Sequence, residues 1–131
     1  MQLGILRTKI ILPLLLLLLL DCNRKNDLNN PITITIKVID SKTKQSRINK
    51  FDTIEVRKEG LGYLGKTFDK VGEYITDSTG IVQITIIPKE GYRFMASGQN
   101  VYGSANFTKA FTKKILRNNE QVIIEVTSIN N

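Results

Sequence analysis

The sharpest chemical signal in the chain is Gly60-Leu61-Gly62-Tyr63-Leu64-Gly65-Lys66-Thr67, which fits the spacing of a phosphate-binding loop. In such a loop, backbone N–H groups and a helix N-terminus surround phosphate oxygens, a Lys neutralises them, and a Ser or Thr holds Mg2+. Gly60, Gly65, Lys66 and Thr67 would carry that role here. The chemistry needs a buried strand before the loop and a helix after it. Ile54–Lys58 can supply the strand, but Phe68–Thr76 contains Gly72 and several β-branched or aromatic residues, a poor composition for a helix. A glycine-rich hairpin or bulge is the stronger reading, and phosphate binding is the alternative.

Other constellations are weaker. The chain has no histidine, which removes Ser-His-Asp and Cys-His nucleophile pairs and the commonest zinc ligand. Ser41-Lys42-Thr43-Lys44 matches an S-x-x-K spacing, but that chemistry needs a helix and further partners. Asp52, Glu55, Asp69 and Glu73 could in principle pair for glycoside hydrolysis, although nothing in their spacing brings them together. Asp40 and Asp77 could donate to Ca2+, which needs six to eight oxygens; turn formation is the simpler role for both. Tyr63, Tyr74, Tyr92 and Tyr102 with Phe94, Phe107 and Phe111 could form a glycan platform, though such residues more often fill a core. Tyr92, at the start of a strand behind a turn, suits a corner role with its hydroxyl bonded to loop backbone. The expectation is a non-enzymatic protein with no catalytic residue, metal or cofactor.

The elements that would position these residues are strands. Ile32, Ile34, Ile36 and Val38 alternate with Thr33, Thr35 and Lys37, the pattern of a half-buried strand. Further strand patterns occupy Phe51–Lys58, Ile81–Ile87, Tyr92–Ala96 and Gln121–Ile129. Between them lie turn signals such as Asp77-Ser78-Thr79-Gly80, where Asp bonds its own backbone and Gly accepts positive φ. Residues 105–116 fit either a short helix or a strand, with the threonines favouring a strand. Strands at this spacing, with turns between them, indicate an all-β sandwich or barrel.

The N-terminal part has a different character. Arg7 and Lys9 precede Ile10–Leu20, an apolar run broken only by Pro13 and too short for the roughly 20 residues that span a bilayer. That is the pattern of a secretory signal. Leu19-Leu20-Asp21-Cys22 resembles the lipobox of bacterial lipoproteins, which implies that Cys22, the only cysteine, becomes the lipidated first residue of the mature chain. The expected organisation is a signal peptide over 1–21, a polar tether over 22–31 and one domain over 32–131. Loss of Arg7, Lys9 and Asp21 with the signal leaves 17 Lys and Arg against 11 Asp and Glu, a net charge of +6. That balance favours acidic partners or anionic headgroups. The basic residues are scattered, so no nucleic-acid partner is expected.

Ile36-Lys37-Val38-Ile39-Asp40-Ser41-Lys42-Thr43, then Thr76-Asp77-Ser78-Thr79-Gly80, Pro88-Lys89-Glu90-Gly91-Tyr92-Arg93-Phe94 and Val122-Ile123-Ile124-Glu125-Val126, resemble the carboxypeptidase regulatory-like, or transthyretin-like, family. The resemblance implies a seven-stranded Greek-key β-sandwich (transthyretin-like or Ig-like) behind the signal segment. It also implies a non-catalytic role in folding support, adhesion or presentation of a surface. Together these features imply a lipoprotein of the bacterial cell envelope, held by lipid at Cys22 and facing the periplasm or the cell surface from the outer membrane. An unidentified protein or glycan would be its partner. A carbohydrate-binding module using exposed tyrosines is the alternative.

Overall fold

A computed structural model describes residues 28–107 and 114–129. Residues 1–27, with Cys22 among them, 108–113 and 130–131 lie outside the described residues; of the stretch 105–116, which fitted either strand or helix, residues 105–107 are strand and 114–116 are neither. The described chain is all-β. Its seven strands are β1 (Ile32–Asp40), β2 (Thr53–Gly62), β3 (Gly65–Ile75), β4 (Ile81–Ile86), β5 (Tyr92–Gly98), β6 (Val101–Phe107) and β7 (Gln121–Ser128). They form one curled mixed sheet in the order β3-β2-β5-β6-β7-β1-β4. No helix among the described residues is long and apolar enough to cross a membrane.

Alternation builds the core. Ile34, Ile36 and Val38 of β1, Val122, Ile124 and Val126 of β7, and Ile84 and Ile86 of β4 all point inward. Ile54 and Val56 of β2 and Tyr92, Phe94 and Ala96 of β5 join the same cluster. Each fully buried Ile or Phe contributes about 1.5–3 kcal/mol relative to leaving it in water, so this cluster is the main stabilising term. β1 and β7 run parallel, with Ile36 opposite Val122; the other strand pairs are antiparallel. The junction between β6 and β7 is short, only Val101 opposite Ser128 and Tyr102 opposite Thr127. There Gly103 lies so close to β7 that a Cβ would stand 2.1 Å from the Glu125 carbonyl oxygen.

β3 is less evident in the sequence because none of its residues is fully buried. It is an edge strand, held by pairing with β2 from Thr53↔Ile75 out to Gly62↔Gly65. The register slips between Val56 and Arg57, leaving Val71 as the extra residue of a bulge. Lys66, Asp69, Lys70 and Glu73 along this edge discourage pairing with a second sheet.

Strand directions define two ends. The chain comes in at Leu28–Pro31, and the β2–β3 turn, the loop 87–91 and the segment before β7 lie at the same end, here the proximal one. The loops 41–52 and 76–80 and the turn Gln99-Asn100 lie at the opposite, distal end.

Candidate functional site

The segment Gly60–Thr67 is the far part of the β2–β3 hairpin. β2 leaves the body of the sheet where Glu59 N–H donates to the Gly91 carbonyl (2.8 Å). Beyond that point it pairs with β3 alone, Gly60 opposite Thr67, Leu61 opposite Lys66 and Gly62 opposite Gly65. Tyr63-Leu64 forms the two-residue turn. The arm thus projects four residues past its last contact, about 13 Å at the usual strand rise.

The glycines have a packing reason. A Cβ on Gly60 would stand 2.8 Å from Thr67 Oγ1, and one on Gly62 would stand 2.6 Å from Thr67 Cγ2. The Thr67 side chain crosses the space they leave open. Lys66 is ion-paired to Glu59 across the arm. The chain continues past Lys66 as strand, so the helix N-terminus on which a phosphate loop depends is not formed here. Gly60, Gly65, Lys66 and Thr67 therefore share one hairpin, but no ring of inward-directed N–H donors surrounds a common point.

At the base of the arm a shallow cleft of about 390 Å3 is bordered by Glu59, Leu61, Lys66, Lys89 and Glu90, with carboxylates and cations in balance. The arm's end is otherwise apolar. Leu61, Tyr63 and Leu64 are 95%, 102% and 95% exposed, the most exposed large apolar side chains of the described chain. Lys89, beside that cleft, donates its backbone N–H to the Leu28 carbonyl (3.1 Å). Leu28, the first described residue, therefore docks against the foot of the arm.

The remaining candidates are engaged elsewhere. Glu55 lies opposite Glu73, and Lys70 bridges the two; Glu55 also pairs with Arg57. The Arg57 guanidinium holds the Glu55 carboxyl below its ordinary value, the reverse of what a general acid requires. Asp69 stands on the exposed edge of β3, opposite Lys58. Asp52 is fully buried and forms a bidentate pair with Arg47, Nε to Oδ2 at 2.6 Å and Nη2 to Oδ1 at 3.0 Å. Gly98 makes room for it, since a Cβ there would stand 2.0 Å from Asp52 Oδ1. Thr76 is buried next to it, its N–H donating to the Asp52 carbonyl (2.9 Å), while its hydroxyl meets no partner among the described residues.

Asp40 accepts the N–H groups of Lys42 and Thr43, and Asp77 accepts from Thr79 Oγ1, Thr79 N–H and Ile81 N–H. These bonds hold both carboxyls below their usual range, foremost the Thr43 N–H at Asp40 and the Thr79 hydroxyl at Asp77. Their oxygens serve turns. Ser41 shares a hydrogen bond with Thr127, and Lys44 pairs with Glu125 at 2.6 Å, so each member of the S-x-x-K pair is bonded to β7 rather than to the other. No group of three His, Cys, Asp or Glu side chains placed for a metal ion occurs among the described residues.

The aromatics divide in two. Tyr92 stacks on Phe94 with centroids 6.0 Å apart, and Phe107 meets Phe94 edge-on at 6.0 Å. The Tyr92 hydroxyl accepts the Ile87 N–H (3.2 Å), and burial raises its pKa. Tyr74 packs against the same core, and Phe111 lies outside the described residues. Tyr63 and Tyr102 are the exposed pair, but Tyr102 registers through Ser97 with Thr53 at the distal end, whereas Tyr63 comes directly after Gly62. The length of β2, about 30 Å, separates them.

A second feature was not legible in the sequence. In the distal loop 41–52, Phe51 is 55% exposed with φ +50°, a left-handed conformation that bulky residues rarely adopt. Ile48 in the same loop and Ile75 at the end of β3 are also exposed. A bulky apolar side chain that is both strained and solvated gains nothing from the fold. Such strain concentrates at binding surfaces and is visible only once the loop is built. No family model, curated protein or solved structure matches this chain.

Proposed function

We propose that this protein is a lipid-tethered module of the bacterial cell envelope that works by binding, not catalysis. In this reading Cys22 carries the lipid, residues 22–31 form the tether, and the domain presents a partner surface at its distal end. The seven strands are taken as a transthyretin-like Greek-key sandwich, with β3-β2-β5-β6 as one layer and β4-β1-β7 as the other. The short β6–β7 junction and the core shared by both groups support that view.

The observation that carries the reading is Phe51, held exposed at positive φ in a loop at the end opposite Leu28. With Ile48 and Ile75 it offers an apolar contact to an envelope partner, protein or glycan. A glycan cradle made from Tyr63 and Tyr102 together is the weaker alternative, because the two stand at opposite ends.

Two measurements test this. Mass spectrometry of the membrane fraction should find a lipidated N-terminus at Cys22; an intact unmodified leader would refute the tether. A photo-crosslinking residue at position 51 should give a discrete adduct in living cells, and one at the exposed β4 residue Gln83 should not. Equal labelling at both positions would refute the distal surface.

A further inference from the structure

The lipid anchor leaves the β2–β3 arm unaccounted for, and the arm has a geometry of its own. Two-residue hairpin turns normally carry Asn, Asp or Gly, which tolerate water and the turn's backbone. This one carries Tyr63-Leu64, flanked by Leu61, all three essentially fully exposed. The side chains are too far out to serve the core, and the arm extends beyond the strands that could cover them.

The arm lies at the proximal end, and its foot is where the tether docks. Lys89 N–H donates to the Leu28 carbonyl, and Lys89 borders the same cleft as Leu61. Cys22 lies six residues before Leu28 in the chain, a reach of about 20 Å when extended. The arm reaches about 13 Å past its last contact with the body. A lipid at Cys22 therefore holds the membrane surface within the range that the arm's end can meet.

We infer that Leu61, Tyr63 and Leu64 insert into the interfacial layer of the bilayer that holds the anchor, making a second point of attachment. The inference rests on the lipid tether at Cys22 proposed above. Its chemistry suits that layer. Leucines enter the acyl boundary while the tyrosine places its ring among the hydrocarbon and its hydroxyl among headgroups. Just behind, Lys66 paired with Glu59 and the neighbouring Lys89 and Glu90 form a charged, overall neutral collar that suits headgroup depth. The anchor holds the chain at the membrane but leaves the domain free to turn about its tether, and a second apolar contact fixes its orientation. With the arm inserted, the distal loop points away from the membrane.

The chain has no tryptophan, so single-site reporters are clean. The full chain carrying Tyr63→Trp is purified with its native anchor and placed in vesicles of phosphatidylethanolamine and phosphatidylglycerol. Tyr102→Trp at the distal end is the control. Residue 63 should emit to the blue of its emission in detergent-free buffer, and lipids brominated on their acyl chains should quench it several-fold more than residue 102. Adding Leu61→Ser and Leu64→Ser should abolish that difference. A lipidated chain whose residue 63 is quenched no more than residue 102 overturns the inference and leaves the tether intact. Quenching in a chain that mass spectrometry shows to lack lipid removes the tether reading and keeps the insertion. A blue shift that appears without vesicles and grows with protein concentration identifies a second copy as the occupant and overturns insertion.

Discussion

The pair Arg47–Asp52 is the most consequential polar contact in the fold, and its removal has a calculable effect. Asp52 has no exposed surface and the Arg47 side chain is 11% exposed, so the carboxylate has no water to fall back on and the guanidinium has little. Breaking a buried pair from one side costs about 3–5 kcal/mol, because the other charge stays buried without a partner. Arg47→Met should lie near the upper end, since it strands a carboxylate with zero exposure. Asp52→Ala should lie near the lower end, since the guanidinium can swing toward solvent. For a domain with a urea slope of about 1–3 kcal/mol/M, such losses move the midpoint by about 1–5 M. The double substitution should cost much less than the sum of the two, because it leaves no orphaned charge. Gly98→Ala supplies an independent check: its methyl would stand 2.0 Å from Asp52 Oδ1. It should be strongly destabilising in the native background and close to neutral with Asp52→Ala. Urea denaturation followed by circular dichroism measures all five variants. Single substitutions costing under about 1 kcal/mol, as for exposed pairs, or strictly additive effects would refute this account of the pair.

Thr76→Val keeps the shape and deletes a buried hydroxyl with no partner among the described residues, so it should stabilise by about 1 kcal/mol, raising the melting temperature by about 4–8 °C. Gly103→Ala should destabilise by about 3 kcal/mol or more, because its methyl meets the Glu125 carbonyl at 2.1 Å, backbone that cannot turn aside; hydrogen exchange should increase first at β6 and β7. Acid should weaken the fold. The carboxyls of Asp40, Asp77 and Glu55 are held below 3.8, 3.8 and 4.5, their ordinary values, so below that range the unfolded chain binds more protons than the folded one. Their contribution is complete near neutral pH and is lost as pH falls through the ordinary values and on through the lowered ones. Urea midpoints between pH 7 and pH 3 measure it, and Asp77→Ala should flatten the decline.

Much of this was legible because local pattern and tertiary role coincided. Ile34, Ile36 and Val38 alternate in the sequence and are buried in the fold, and Asp77-Ser78-Thr79-Gly80 forms the turn its side chains dictate, with Gly80 at φ +79°. β3 was harder to discern because an edge strand needs no apolar face, and its Phe68, Val71 and Tyr74 share the segment with Gly72 and four charged residues. The glycine-rich segment reads as a hairpin or bulge and is a hairpin, with Gly60 and Gly62 standing where Thr67 crosses; what the sequence does not show is that it prolongs β2 and β3 beyond the sheet. Arg47 reads as one of the scattered basic residues and Asp52 as one of several carboxylates. Their pairing depends on a cavity beside Gly98, distant in the chain and without local signature. Likewise, no spacing rule reveals that Tyr63 and Tyr102 end about 30 Å apart.

The parallel pairing of β1 with β7 has a consequence for how the molecule is made. β1 sits between β4 and β7, and the first described strand therefore completes its hydrogen bonding only with the last. A chain that is threaded through a translocation channel from its N-terminus cannot close this sheet until residues 121–128 have emerged. Distant pairings of this kind form slowly. In the envelope reading proposed above, this order of strands would keep the polypeptide unfolded, and transportable, until its last strand is across.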